Sequence, residues 1–305
     1  MSYCNKPASK QRGQRVYLVF SRGLQIKMLF LLPRSTRMST KTDLYNSSYG
    51  NYGVEVYRQV RIEAYGEDLG QTSWVTTEES TEIPRSLALT SGAYVLEIGC
   101  GSGRYALQVA QAENCRVLGV DISEPGIHNA NQLAAAQNMS AQVHFDRLDV
   151  SKELPFDEGT FDGAFANDVL CHIPGRPAVL RSLFRVLKPG GRILFSDALV
   201  IGGIISQQEI ATRSSIGYYL FSPPGENERL IGQAGFVLLD ARDTTGNAAQ
   251  IAKRWHDARE KKRDDLIGLE GRANFEGVQQ FLSCVHILTV ERRLLRYLYV
   301  AQKPE

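Results

Sequence analysis

Val95-Leu96-Glu97-Ile98-Gly99-Cys100-Gly101-Ser102-Gly103 decides how the rest of this chain is read. Tyr94–Ile98 has the apolar weight of a buried strand. Three glycines at alternate positions then make a tight turn, and Tyr105–Ala112 reads as the helix that the turn opens. Glycine permits positive φ and lets a ligand come close to the backbone. Asp121 ends the next strand, where a carboxylate can accept both hydroxyls of a ribose. A dinucleotide loop would read G-x-G-x-x-G, with the pyrophosphate on the helix N-terminus. Here the third glycine is Gly103, Arg104 stands at the dinucleotide position, and Glu97 before the loop would repel a nearby pyrophosphate. A cationic or zwitterionic ligand suits this loop better.

Outward from the loop, strand and helix signals alternate. Arg116–Val120, Val143–Leu148, Phe161–Ala166 and Arg192–Ser196 read as further strands. Pro125–Asn138 and Pro177–Leu187 read as helices, the first with a proline near its start and the second closed by the turn Lys188-Pro189-Gly190-Gly191. Strands and helices at this spacing predict right-handed βαβ units in a parallel sheet covered on both faces. Phe236–Leu239 and Arg296–Ala301 supply two more strands. Upstream, residues 54–65 have roughly helical spacing, and Thr76 or Thr77 can cap a helix with Glu78 and Glu79 in its first turn. Downstream, 200–235 reads as helices and loop, Ala248–Arg272 as one long charged helical stretch, and Phe275–Val290 as a more apolar helix.

The glycine motif E-x-G-x-G-x-G, followed by an acid at the end of the second strand, resembles that of the class I S-adenosylmethionine-dependent methyltransferases. Arg147-Leu148-Asp149-Val150, Phe161–Asp168 and Leu187–Leu194 are similar to that family's third-, fourth- and fifth-strand motifs, in order. The resemblance covers about 55–305 and implies a Rossmann-like, seven-stranded, mostly parallel α/β sheet. Its last strand is antiparallel, helices lie on both faces, and a helical lid is inserted. It implies S-adenosyl-L-methionine as cofactor. Gly99, Gly101 and Gly103 approach the methionine part in this reading, with Glu97 part of the motif. Asp121 takes the ribose hydroxyls and Ile122 packs on the adenine. Asp149 reads the adenine amino group with Val150 beside it, Asn167 faces the cofactor, and Gln71 and Ser73 close over the methionine carboxylate.

On the acceptor side, Asn167-Asp168-Val169-Leu170-Cys171-His172-Ile173-Pro174 lacks the Asn/Asp-Pro-Pro-Tyr pattern of enzymes that methylate nucleic-acid bases. It resembles the Asp…Leu-x-His segment of small-molecule methyltransferases, including the phosphoethanolamine and glycine/sarcosine N-methyltransferase types. An acceptor that arrives as ammonium or hydroxyl needs a base, and histidine suits that task near neutral pH. Asp168 and His172 lie four apart and share one face if the segment is helical. His172 is therefore expected to be the base, with Asp168 orienting either it or the acceptor. Trp74, Tyr218, Tyr219, Trp255 and His286, with Phe221 and His256, are candidates for the acceptor pocket. Their aromatic weight suggests an apolar or cationic acceptor, an amine nitrogen before an oxygen or carbon.

Composition bounds the remaining classes. The chain has 305 residues, 43% of them hydrophobic, with 35 Lys and Arg against 33 Asp and Glu. That is an ordinary globular composition, not the basic excess of a nucleic-acid binder. No stretch of about 20 apolar residues spans a membrane. Five widely spaced cysteines without C-x-x-C argue against a disulfide framework or zinc knuckle. No metal is expected, and a reducing compartment, the cytoplasm, is the simplest location. Residues 1–42 carry nine of the basic residues and no acid, leaving 43–305 formally at −7. The segment 1–38 is expected to be an extension outside the fold. It is a transit peptide, an upstream stretch of reading frame before Met38, or a structural arm. Residues 39–305 then form one methyltransferase domain, with a helical cap from 39–85, 200–235 and 248–290, acting as monomer or homodimer on a small molecule. A cofactor-binding module without turnover and a nicotinamide-dependent oxidoreductase are the competing readings.

Overall fold

The computed structural model describes residues 42–68 and 70–305; the expected N-terminal extension, 1–38, lies outside the described residues. Two helices come first, α1 (Tyr45–Gly50) and α2 (Glu55–Tyr65), then α3 (Thr77–Ser86). The alternating part follows as β1 (Tyr94–Ile98), α4 (Arg104–Glu113), β2 (Arg116–Asp121), α5 (Glu124–Ala136), β3 (Val143–Arg147), β4 (Phe161–Ala166), a 3-10 turn (Leu170–His172), α6 (Arg176–Val186) and β5 (Leu187–Ile201). The chain ends in α7 (Gln207–Arg213), α8 (Glu226–Gln233), β6 (Val237–Asp243), α9 (Thr245–Lys261), α10 (Arg263–Glu270), α11 (Arg272–Val290) and β7 (Leu294–Gln302).

The seven strands form one sheet in the order β3-β2-β1-β4-β5-β7-β6. β1 to β5 are parallel neighbours, and β7 runs antiparallel between β5 and β6. Chain direction across the sheet reverses between β1 and β4, which opens a crevice at the carboxyl ends of the strands. Alternate strand residues enter opposite cores. Leu96, Ile98, Val120, Phe161 and Phe195 pack into one, and Val95, Val117, Phe165 and Leu194 into the other. Both faces are therefore apolar, which is why the buried strands read as continuous hydrophobic runs.

A third core binds the helical cap. Tyr57 and Val60 of α2, Ile251 and Trp255 of α9, and Phe275, Phe281 and Val285 of α11 bury their apolar faces together. Helix starts follow side-chain chemistry: Thr76 caps α3 in a reciprocal box with Glu79, and Ser206 does the same for α7 with Glu209. The segment Lys188–Gly191 differs from a simple helix stop. β5 takes it in because Gly190 and Gly191 exchange backbone hydrogen bonds with Lys303, while Gly190 still bends at φ +76. The long charged stretch breaks at Lys262 into α9 and α10, and α11 begins at Arg272, ahead of the expected Phe275. No helix among the described residues is long and apolar enough to cross a membrane.

Candidate active site

The crevice holds a cavity of about 770 Å³. One end is made by the β1–α4 turn. Gly99 has φ +70 and Gly101 φ +52. A Cβ on Gly99 would overlap Val169, and one on Gly101 would come within 2.8 Å of the Tyr49 hydroxyl. Both positions combine left-handed backbone with a close neighbour, which only glycine tolerates. Asp121 is tied to this turn: its carboxylate accepts from Gly101 N at 2.9 Å and Ser123 N at 2.8 Å. Burial pushes its carboxyl up, partly opposed by those amides. Asp149 is fixed by the Ser151 hydroxyl at 2.6 Å and amide at 3.1 Å, which hold its carboxyl below the usual range. Ile122 is 65% exposed at the rim, and Val150, Gln71, Ser73 and Asn167 line the same end.

Buried Asn167 Nδ2 and Ser102 Oγ line the cavity with no hydrogen-bond partner among the described residues. Buried polar groups are normally paired, so both suit a ligand with polar groups. Together with the open turn, the carboxylates at both strand ends and the exposed isoleucine, this end fits an adenosyl group carrying an amino acid. Glu97 is the exception. It does not line the cavity but sits beneath the turn, 1% exposed, with Oε2 unpartnered among the described residues. Burial and the charge of Asp121 push its carboxyl well up. Glu97 therefore lies buried under the loop rather than facing the ligand.

The other end is built from elements outside the alternating pattern. Tyr45 comes from α1, whose Tyr49 instead reaches the glycine turn; Arg213 comes from the end of α7, Tyr218 and Tyr219 from the following loop, Trp74 from the approach to α3, and Phe281 from α11. His172 stands among them. Its Nδ1 lies 3.2 Å from the Tyr218 carbonyl and its Nε2 3.0 Å from the Tyr45 hydroxyl. A carbonyl only accepts, so Nδ1 carries the proton and Nε2 offers a lone pair. Burial, then the charge of Arg213, pushes His172 down to about 4. The neutral, accepting form is the resting state.

Asp168 does not pair with His172. The expected shared helical face is absent because Asp168 adopts φ +57 and the chain continues into a three-residue 3-10 turn. One carboxylate oxygen accepts from Trp74 N at 2.8 Å; the other accepts from Ser196 Oγ and Arg296 Nε, both at 2.9 Å. Arg296 also donates to Glu79 at 2.8 Å and to Thr244 at 2.7 Å. This buried network fixes the segment that presents His172 and ties it to Trp74. Trp255 and His286 are corrected as well. Trp255 is buried between Tyr65 and Trp74, and His286 Nδ1 bonds the Ala249 carbonyl at 2.9 Å. Neither lines the cavity, nor do Phe221 and His256. Trp74, Tyr218 and Tyr219 do.

Tyr45, Tyr49 and Arg213 are the functional candidates that sequence reasoning missed. α1 has only six residues and no apolar period, so nothing marked its tyrosines. Arg213 read as one more helical charge.

Comparison with known proteins agrees with this geometry. Residues 89–215 match a family model described as a methyltransferase domain. An O-methyltransferase, rstn1, from Aspergillus nomiae is 30% identical over 72% of this chain and 99% of its own length. Phosphoethanolamine N-methyltransferase 1 of Triticum aestivum is 30% identical over 73% of this chain and 43% of its own. The structure of Haemonchus contortus phosphoethanolamine N-methyltransferase 2, in complex with phosphomonomethylethanolamine and S-adenosylhomocysteine, superposes with a TM-score of 0.72. It is 21% identical and covers 85% of this chain and 59% of that one.

Proposed function

The chain belongs to the S-adenosylmethionine-dependent methyltransferases, and from that premise we propose that it methylates a hydroxyl oxygen of a small molecule, with His172 as the base. The observation that carries this reading is the His172 Nε2 lone pair, held beside the Tyr45 hydroxyl in the same cavity as the glycine turn. Bound S-adenosylmethionine supplies an electrophilic methyl group on a positively charged sulfur.

The chain's own residues do the rest. Gly99, Gly101 and Gly103 let the backbone approach the cofactor's amino-acid part, with Asn167, Gln71 and Ser73 around it. Asp121 accepts from the ribose hydroxyls, Asp149 from the adenine amino group, and Ile122 and Val150 pack on the ring. With an acceptor bound, its hydroxyl would replace the Tyr45 hydroxyl as the donor to Nε2 and give its proton to His172 there, while the methyl group would pass to the acceptor oxygen as its bond to the cofactor's sulfur breaks. Asp168 is a positioning residue: through Trp74 and Arg296 it keeps the wall and the base in register. Such positioning contributes as much as about 7–11 kcal/mol to reactions of this kind.

Arg213 favours oxygen over the amine suggested by the aromatic content. The faces of Tyr219, Phe281 and Trp74 are already occupied by its guanidinium, so they are not free to cage an ammonium group. A nitrogen acceptor is the second reading, favoured by the N-methyltransferases among the relatives. Four free cysteines among the described residues support a reducing compartment, the cytoplasm. The catalytic unit is residues 39–305, acting as a monomer or homodimer.

The test is calorimetry of the full chain with S-adenosylmethionine, S-adenosylhomocysteine and NAD, followed by labelled methyl transfer to phenols and amines. Tight binding of the first two without NAD, and transfer to a phenol that His172→Asn abolishes, is the expected result. Full turnover by His172→Asn across pH overturns the base assignment.

A further inference from the structure

Five arginines are buried among the described residues, and four of them meet a carboxylate. Arg61 pairs with Asp68, Arg176 with Asp197, Arg259 with Glu270, and Arg296 with both Asp168 and Glu79. Arg213, 1% exposed, forms no ion pair among the described residues. Three rings take the faces of its guanidinium, with its carbon 4.3 Å from the centre of Tyr219, 5.1 Å from Phe281 and 6.0 Å from Trp74. Ring faces attract the charge but do not accept the N–H groups along the guanidinium edge. The Tyr219 hydroxyl takes one hydrogen bond. Nε and Nη1 have no partner among the described residues.

A cation removed from water needs an opposite charge and filled donors to be tolerated. The carboxylates lining the cavity do not supply them. Asp121, Glu124 and Asp149 stand at the glycine-turn end, and the oxygens of Asp168 are taken by Trp74, Ser196 and Arg296. The arginine is also held in place: the capping box of α7 and the ion pair from Glu209 to Arg293 at 2.7 Å fix the helix whose last residue it is.

We propose that the missing anion arrives with the methyl acceptor: the substrate is a hydroxylated carboxylic acid with a flat apolar body, its carboxylate accepting from the unpartnered N–H donors of Arg213 and its hydroxyl at His172. The inference rests on the methyltransferase reading of the same cavity. A carboxylate supplies both the opposite charge and the acceptor oxygens that these donors lack. A phosphate dianion fits less well, because Arg213 is the single fixed cation at this end among the described residues. The other lining arginines, Arg104 and Arg147, lie at the glycine-turn end, Arg147 paired with Glu124. Ile216, Tyr218, Tyr219 and Phe281 provide the apolar walls. Seating the carboxylate also neutralises the charge that opposes protonation of His172, so the base strengthens when the acceptor is in place.

The test is calorimetry on the full chain saturated with S-adenosylhomocysteine, using 4-hydroxybenzoate and 4-hydroxycinnamate, their neutral amides, and phosphoethanolamine. The acids are expected to bind at least tenfold tighter than the amides. Arg213→Met levels acid and amide while S-adenosylhomocysteine affinity stays unchanged, and Arg213→Lys, which keeps the charge without the guanidinium's fixed donors, falls between. Equal affinity of acid and amide, no binding of either acid, or tighter binding of phosphoethanolamine overturns the proposal. Should Arg213→Met fail to hold S-adenosylhomocysteine, the acid-to-amide ratio in the unsubstituted chain and in Arg213→Lys decides. Failure of the unsubstituted chain to bind S-adenosylhomocysteine would instead sink the methyltransferase reading, and the ratio is then measured on the chain alone.

Discussion

The two ends of the cavity are made differently. The cofactor end uses backbone at the carboxyl ends of β1, β2 and β3, where glycine φ angles and strand-end acids follow one another within about 50 residues. The acceptor end uses side chains brought from α1, α7, α11 and two loops, elements separated by up to 236 positions between Tyr45 and Phe281. Backbone-made sites leave a local spelling in the sequence. Side-chain-made sites depend on which helices happen to dock; the sequence marked His172, Trp74, Tyr218 and Tyr219 here, but not Tyr45 or Arg213.

That contrast can be broken from either side. The largest expected effect is His172→Asn. It removes the base and lowers kcat about 10²–10⁴-fold, measured by labelled methyl transfer, while S-adenosylhomocysteine affinity is unchanged. A parallel loss of cofactor affinity would show that the two ends are one unit. Next is Arg296→Met, which leaves Asp168 and Glu79 as unpaired buried acids. Breaking a buried pair this way costs about 3–5 kcal/mol, read as a shift of the urea midpoint. A smaller loss would mean that the network is wetter than its burial indicates.

Gly101→Ala acts on the backbone end. Its φ of +52 and the Tyr49 hydroxyl 2.8 Å from a new Cβ both resist a side chain. Strain of about 1–3 kcal/mol should weaken S-adenosylhomocysteine binding roughly tenfold or more, in calorimetry. Adding Tyr49→Ala removes the contact but not the φ cost, so only partial recovery is expected. The smallest effect is in pH. With His172 pushed down to about 4, kcat/KM should stay level from pH 8 to near 5 instead of falling through the usual histidine value of about 6.5. The folded-state value lies below the unfolded one, so the unfolded chain binds the extra proton first. Stability should therefore fall as pH drops from about 6.5 toward 4, and His172→Asn should flatten that slope in thermal melts.

Legibility follows the same divide. β1 and β4 were readable to the residue because both faces of each are apolar and each is closed by turn chemistry. Asp121 and Asp149 could be placed because strand ends fix them. The Asp168–His172 pairing misled because spacing of four implies a shared face only in a helix, and the left-handed Asp168 diverts the chain before one forms. Trp255 and His286 misled because long amphipathic helices carry aromatics for their own packing. Arg213 could have been suspected only by asking which charge the fold leaves unpaired, a question that has no answer until the helices are docked.

Arg296 also sets an order in time. Because β7 inserts between β5 and β6, the residue that neutralises Glu79 and Asp168 is synthesised after every group it holds. On the ribosome, where folding starts from the N-terminal side, the parallel half of the sheet can form while those two acids still face an apolar interior with no counter-charge. The nascent chain can thus acquire its cofactor turn early, but its catalytic half locks only when the last ten residues, beginning at Arg296, have emerged and β7 has paired with β5 and β6.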